Sequence, residues 1–254
     1  MKIAICAIIK DEHRYLDEWL QYHLNLGFDE IWLYEDFGSL SHKDICKKYD
    51  NVIINSMELF ESHRINPKRQ TILYKWFLEK YRDNYDWITF IDIDEFITLD
   101  KGLNLKDVLN EYREQKGLFM AWKLYNANNL IEPPKDYKVL DTYKEYVKNY
   151  KVDIIRIKSF VNTKNNGKLK THHWVEDGVT PLLDKEASKC TYDKIWINHY
   201  YTKSWTEWLL KIFERGNLYF GLQKILDFFK YNPDMKEKLP ELLSKMGSLV
   251  RKYK

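Results

Sequence analysis

The chain has 254 residues and a formal charge of +3, long enough for one sizeable core and too near neutrality for a dedicated nucleic-acid binder. Its 19 Tyr, 12 Phe and 9 Trp against 9 Gly and 6 Pro exclude the disordered and low-complexity classes. Cys6, Cys46 and Cys190 lack CxxC spacing and read as reduced thiols of a cytoplasmic protein, not as a disulfide framework or a zinc site.

In chain order, IAICAII (3–9) predicts a strand buried on both faces. Leu16, Trp19, Leu20, His23 and Leu24 follow at helical spacing over 12–25, and Gly27 ends the run. EIWLYE (30–35) predicts a second strand, 41–49 a short helix, and NVIIN (51–55) a third strand. A helix over 68–83 points Ile72, Leu73, Trp76 and Phe77 inward, and DWITFIDID (86–94) predicts the fourth strand. Strand and helix alternating in this way make a parallel α/β sheet.

The second half is less regular. LFMAWKLY (118–125) predicts a strand and IEPPKDY (131–137) a loop, with shorter strands at 153–160, 169–175 and 194–200. Apolar spacing turns helical again over 204–230. No internal repeat or Gly/Ser linker interrupts the chain, so one compact domain with a helical tail is expected.

The nearly continuous apolar WITFI (87–91) stops abruptly at Asp92, Asp94 and Glu95. Ligands of open parallel sheets bind beyond the carboxyl ends of the strands. Residues two apart in extended chain point the same way, so Asp92 and Asp94 are expected to face one site. Two such carboxylates repel, and a divalent cation shared with substrate phosphates relieves the conflict. The bland alternative is a solvated acidic turn, or acids paired with lysines. Glu95 itself reads as a partner for a backbone amide or a lysine.

Three blocks together carry a resemblance: AIIKDEHRYLDEWLQYHLNLGFDEIWLYEDFGS (7–39), WITFIDIDEFI (87–97) and INHYYTKSWTEWLLKIFERG (197–216). The chain resembles the GT-A nucleotide-sugar glycosyltransferases of the family 2-like and family 92 (DUF23-type) group. The resemblance implies a Rossmann-like, mixed and mainly parallel sheet flanked by helices, with a transferase domain over 1–216. Within it, about 1–100 would be the nucleotide-binding half and about 101–203 the acceptor-binding half, with 217–254 a helical extension.

By the same resemblance, Asp92 and Asp94 fall on the DxD that holds Mn²⁺ or Mg²⁺, and His199 is the further metal ligand. An imidazole ligand favours Mn²⁺ over Mg²⁺. Lys203 would reach a phosphate oxygen as a point charge. Lys10 and Glu12 lie in the first loop of the nucleotide cradle, where this chain reads KDE and relatives usually read KNE. Glu35 or Asp36 would hydrogen-bond the base or ribose; such acids also cap helices. Arg69 and Gln70 open the third helix, where a cation suits phosphate; an arginine paired with an acid is the equal alternative.

On the acceptor side, THHWVEDGVTP (171–181) gathers the base candidates Glu176 and Asp177, since inverting transfer needs a carboxylate to take the acceptor proton. His172 and His173 are candidates for acceptor or metal contact, and Trp174 for a flat face against a sugar ring. Asn126, Asn128 and Asn129 stand where relatives carry small residues, and amides suit sugar hydroxyls. No apolar run approaches the roughly 20 residues of a membrane span, and KIAICAII is too quickly followed by charge for a signal peptide. The apolar stripe over 204–230 reads as packing on the domain, and the basic end KMGSLVRKYK suggests peripheral contact with an anionic membrane, the bland alternative being a solvated lysine-rich terminus.

The expected activity is metal-dependent transfer of a sugar, with inversion, from a UDP-linked donor to a glycan or glycolipid in cell-surface polysaccharide synthesis. One rival is a nucleotidyltransferase, which calls for a glycine-rich, lysine-bearing loop that IIKDEHR lacks. The other is a catalytically inactive carbohydrate-binding protein of the same fold.

Overall fold

The computed structural model describes residues 1–147, 157–170, 175, 194–214 and 221–252. The chain forms two compact units, Met1–Trp122 with Lys151–Asn198 and Lys123–Tyr150 with His199–Lys254.

The first unit opens with β1 (Ile3–Ile9), α1 (His13–Leu26), β2 (Glu30–Glu35), α2 (Lys43–Cys46), β3 (Val52–Ser56), α3 (Arg69–Tyr81) and β4 (Trp87–Phe90). β5 (Glu95–Leu99), α4 (Leu105–Glu111), β6 (Gly117–Leu124), β7 (Ile157–Asn162) and β8 (Ile195–His199) follow. The eight strands form one mixed sheet in the order β3-β2-β1-β4-β7-β6-β8-β5. Its β3-β2-β1-β4 part is parallel, whereas β7 runs antiparallel to both β4 and β6. This is the mixed α/β class expected of the sequence. Central β1 is buried on both faces, as its unbroken apolar run requires.

Three predicted elements end elsewhere. The short helix covers only Lys43–Cys46, and of 169–175, where 171–174 lie outside the described residues, Leu169 and Val175 form an isolated bridge. The fourth strand stops at Phe90, and β5 was not foreseen at all. The cause is local: the chain turns at Asp92, whose carbonyl accepts the Glu95 N–H at 3.0 Å. Carboxylates cannot continue inside a buried sheet without partners, so the strand breaks where the acids begin.

α1 buries Leu16, Trp19, Leu20 and His23, and Gly27 closes it at φ 113°, a conformation costly to any residue with a Cβ. The buried face also binds β5. Trp19 Nε1 donates to the Glu95 carbonyl at 2.8 Å, Tyr22 Oη to the Ile97 carbonyl at 2.8 Å, and the Ile97 N–H to His23 Nε2 at 3.3 Å. His23 Nδ1 meets the Trp19 carbonyl at 2.9 Å, so its proton sits there and the ring is neutral. Burial lowers the His23 pKa from 6.5 to about 3. In the unfolded chain the ring takes its proton as pH falls below 6.5, whereas the folded ring does not, so acid favours unfolding across that window. Stability is expected to fall by about 2 kcal/mol between pH 7 and pH 5 through this residue alone. Urea unfolding at both pH values, compared with His23→Phe, checks it: the variant should lose that part of the slope.

The second unit holds α5 (Val139–Thr142), α6 (Trp205–Glu214), α7 (Gly221–Tyr231) and α8 (Leu239–Lys252). Its core joins Ala127, Trp205, Trp208, Leu209, Ile212, Phe228, Met235 and Leu242. Met246 and Leu249 of the basic end pack against this core, and Lys245 pairs with Glu132. Among the described residues no helix is long and apolar enough to cross a membrane. Cys6 and Cys46 are free and buried; Cys190 lies outside the described residues.

Candidate active site

At the carboxyl ends of β1 and β2 two loops are laced together. The Asp11 N–H donates to Ser39 Oγ at 3.2 Å, and the Leu40 N–H to Asp11 Oδ1 at 2.9 Å. The Glu12 N–H donates to His42 Nε2 at 3.0 Å, while Glu35 Oε1 takes the His42 N–H at 2.6 Å and faces Nδ1 at 3.2 Å. These partners fix the tautomer with the proton on Nδ1. Burial lowers the His42 pKa against the pull of Glu35, and the His13 ring stacks on it at 3.9 Å. His42 therefore ties the two loops to each other, and Glu35 holds His42 in place.

Asp36 turns the other way and takes a two-pronged bond from Arg69, Nε to Oδ1 at 3.1 Å and Nη2 to Oδ2 at 2.8 Å. Burial works to raise the Asp36 pKa, but Arg69 outweighs it and Lys10 adds to the effect, so the carboxyl is held below its ordinary range. Lys10, Asp36 and Arg69 thus form one charged group at the ends of β1 and β2 and the start of α3.

The acidic turn is held from α3 and β7. Gln70 Nε2 donates to Asp92 Oδ1 at 3.1 Å and to Tyr74 Oη at 3.1 Å, and that hydroxyl accepts the Ile8 N–H at 3.3 Å. On the other side, Lys158 Nζ lies 2.9 Å from Asp92 Oδ2 and 3.4 Å from Glu95 Oε2. Glu95 Oε2 also accepts the Asp92 N–H at 2.9 Å. Glu95, expected to partner a backbone amide or a lysine, has one of each. The Asp92 side chain keeps 41% of its surface exposed, whereas Asp94, Glu95 and Lys158 are buried. Burial pushes the Glu95 pKa well up despite the charge of Lys158. Burial works against the Lys158 charge, but Asp92 and Glu95 overcome it and keep the ammonium protonated.

His199 and Lys203 belong to the second unit. Buried His199 ends β8 and accepts the Tyr125 N–H on its carbonyl at 2.9 Å. Lys203, buried at φ 50°, immediately precedes a capping box at the start of α6. There Ser204 Oγ and N–H donate to Glu207 Oε2 at 2.5 and 3.1 Å, and the Glu207 N–H returns to Ser204 Oγ at 3.4 Å. Tyr143 Oη adds a bond to Glu207 at 2.6 Å, and Tyr137 Oη another. Burial works to raise the Glu207 pKa, but the Lys203 charge and these donors lower it.

His172, His173, Trp174, Glu176 and Asp177 lie outside the described residues. The Asn128 amide is spent on backbone, Nδ2 to the Thr142 carbonyl at 3.0 Å and Oδ1 from the Glu145 N–H at 3.0 Å. Sequence reasoning passed over Lys158, His42 and Tyr74. Lys158 left a trace, a lone cation inside the apolar run IKSFV (157–161); His42 and Tyr74 left none.

The three blocks of the resemblance thus become loop lacing and α1–β5 bonds, an acidic turn, and a capped helix start. Residues 2–240 match the family model of glycosyltransferase family 92. The chain belongs to this family. Among curated family 92 proteins, RCOM_0530710 of Ricinus communis is 29% identical over 110 residues, covering 42% of this chain and 19% of its own length. Os08g0121900 of Oryza sativa subsp. japonica is 26% identical over 120 residues, covering 43% and 18%. This family 92 chain therefore aligns with about a fifth of each relative. Among solved structures, HddC from Yersinia pseudotuberculosis gives a TM-score of 0.38 at 9% identity, over 78% of this chain and 93% of its own. The mannosyltransferase Ktr4p from S. cerevisiae, in complex with GDP, gives 0.33 at 13%, over 52% and 42%. Likenesses this low bear on neither activity nor substrate.

Proposed function

We propose that this family 92 chain transfers a sugar from a UDP-linked donor to a hydroxyl of a glycan or glycolipid, with inversion and with Mn²⁺ or Mg²⁺ at the acidic turn. The observation that carries the reading is the place of Asp92 and Asp94. They stand in a turn just past the carboxyl end of a parallel strand, where open sheets bind their ligands.

Among the described residues no three His, Cys, Asp or Glu side chains gather into a group able to hold a metal. The donor chemistry still suits a hard cation. Mg²⁺ and Mn²⁺ commonly take one or two carboxylates and complete their coordination with water and substrate phosphates. Asp92 is partly exposed, and beside it Glu95 Oε1 is a buried carboxylate oxygen without a hydrogen-bond partner. A divalent ion bound here would offset charge building on the departing diphosphate. Arg69 and Lys10 would hold phosphate or orient Asp36 toward a ribose, and Gln70 keeps Asp92 in place.

Calorimetry of UDP with Mn²⁺ and with EDTA, on the natural chain and on Asp94→Ala, tests the reading. Binding should require the metal and vanish in the variant. UDP binding that is indifferent to EDTA and to Asp94 would overturn metal-assisted donor binding. Silence from UDP and other nucleotides alike would favour the binding-protein rival.

A further inference from the structure

Lys158 has no part in the reaction proposed above, yet its ammonium contacts two acids of the turn, Asp92 and Glu95. It lies on β7, between β4 and β6 in the sheet, with Met120 as its partner in the register. The next residue is pinned as well, since Thr89 Oγ1 donates to the Ser159 carbonyl at 2.9 Å. The side chain is 2% exposed, so it is shielded from water. Its Nζ meets Asp92 Oδ2 at 2.9 Å, while Gln70 occupies Oδ1 at 3.1 Å. Each oxygen of the one half-exposed acid in the turn already carries a donor from the protein.

A cation arriving at Asp92 must share that carboxylate with an ammonium that is fixed, charged and shielded from water. Like charges a few ångströms apart repel strongly where the surroundings are poor in water. A nucleoside diphosphate reverses the balance, because its phosphate oxygens bring the negative charge and the coordination that the turn lacks. We propose that Lys158 is a positioning residue that makes metal binding conditional on the nucleotide: the built-in ammonium holds Asp92 in place and repels a lone divalent ion, so the ion binds together with the diphosphate. This rests on the donor-site reading above and adds an order of binding to it.

The test is calorimetric titration of Mn²⁺ without UDP and with saturating UDP, on the natural chain, Lys158→Met and Lys158→Arg. In the natural chain UDP should tighten Mn²⁺ binding at least about tenfold, as expected for a repelled ion joined by a diphosphate. Lys158→Met should bind Mn²⁺ alone about tenfold more tightly and lose most of that coupling. Lys158→Arg keeps the charge and should keep the coupling. A part confined to packing predicts loss of stability in Lys158→Met with unchanged coupling. Circular dichroism establishes that the variants are folded. If Lys158→Met does not fold, the double variant Lys158→Met, Glu95→Gln removes the ammonium together with its buried carboxylate partner and should show the same change. Unchanged Mn²⁺ affinity in a folded variant, or a natural chain that binds Mn²⁺ equally well with and without UDP, overturns the proposal. A natural chain that binds neither Mn²⁺ nor UDP instead overturns the donor-site reading on which it stands.

Discussion

Asp92→Ala is expected to lower Mn²⁺-dependent UDP binding, and any transfer that follows from it, by at least about 100-fold. A ligand interaction with a divalent ion amounts to several kcal/mol, and each 1.4 kcal/mol is about a factor of ten. The same change removes one of two carboxylates facing Lys158. Breaking a buried ion pair outright costs roughly 3–5 kcal/mol, but Glu95 remains, so the loss of stability should fall below that range. Gln70→Ala separates the two effects. It frees Asp92 Oδ1 and leaves the Lys158 pair intact, so it should weaken UDP binding less while barely moving the melting temperature. UDP calorimetry with thermal unfolding of the three proteins is the measurement. Asp92→Ala with natural metal-dependent affinity would remove the acidic turn from the donor site.

Gly167→Ala is expected to be the most damaging alanine substitution among the described glycines, costing about 3 kcal/mol by forcing a methyl group into packed backbone. A Cβ at this position would lie 2.2 Å from the Lys116 carbonyl oxygen, 2.7 Å from that of Asn162 and 2.8 Å from Val161 Cγ1. Two of these are backbone atoms, so no side-chain rotation relieves the clash. The Gly167 N–H donates to the Asn162 carbonyl at 2.8 Å, and the Asn162 N–H to the Lys116 carbonyl at 3.0 Å. The turn at Gly167 is thereby tied to the end of β7, the strand that carries Lys158. For a chain of this size about 3 kcal/mol lowers the melting temperature by roughly 6–12 °C. Gly27→Ala provides the contrast: no atom lies within 4 Å of its added Cβ, and only the φ of 113° opposes it. Left-handed backbone costs roughly 1–2 kcal/mol for a residue with a Cβ, so Gly27→Ala should be the milder variant. Differential scanning calorimetry ranks the two, and a Gly167→Ala melting temperature within 1 °C of the natural chain would show that the backbone yields there.

Much of the parallel half of the fold was legible in the amino-acid order, because each element announces itself within a few residues. IAICAII has no polar position to expose and must be a central strand; His13–Leu26 buries one face at helical spacing and stops at Gly27. The acids after WITFI were visible for the same reason, as was the expectation that Glu95 would take an amide or a lysine. The extension of the fourth strand through Asp94 was not correct, because periodicity registers polarity without saying whether a chain continues straight or turns. That choice was made by a side chain, Glu95, reaching back to the Asp92 N–H at 2.9 Å.

What the residues determined unaided was local: where chain is buried on one face or both, where a helix stops, and where acid gathers. Which lysine answers that acid was decided only in three dimensions. Lys158 is 66 residues from Asp92, and nothing in the spacing between them sets their distance. Antiparallel pairing of β7 with β4 brings them together. The same holds for Arg69 with Asp36 and for His42 with Glu12, since a charge or an imidazole at one position carries no record of its partner until the sheet has set the register.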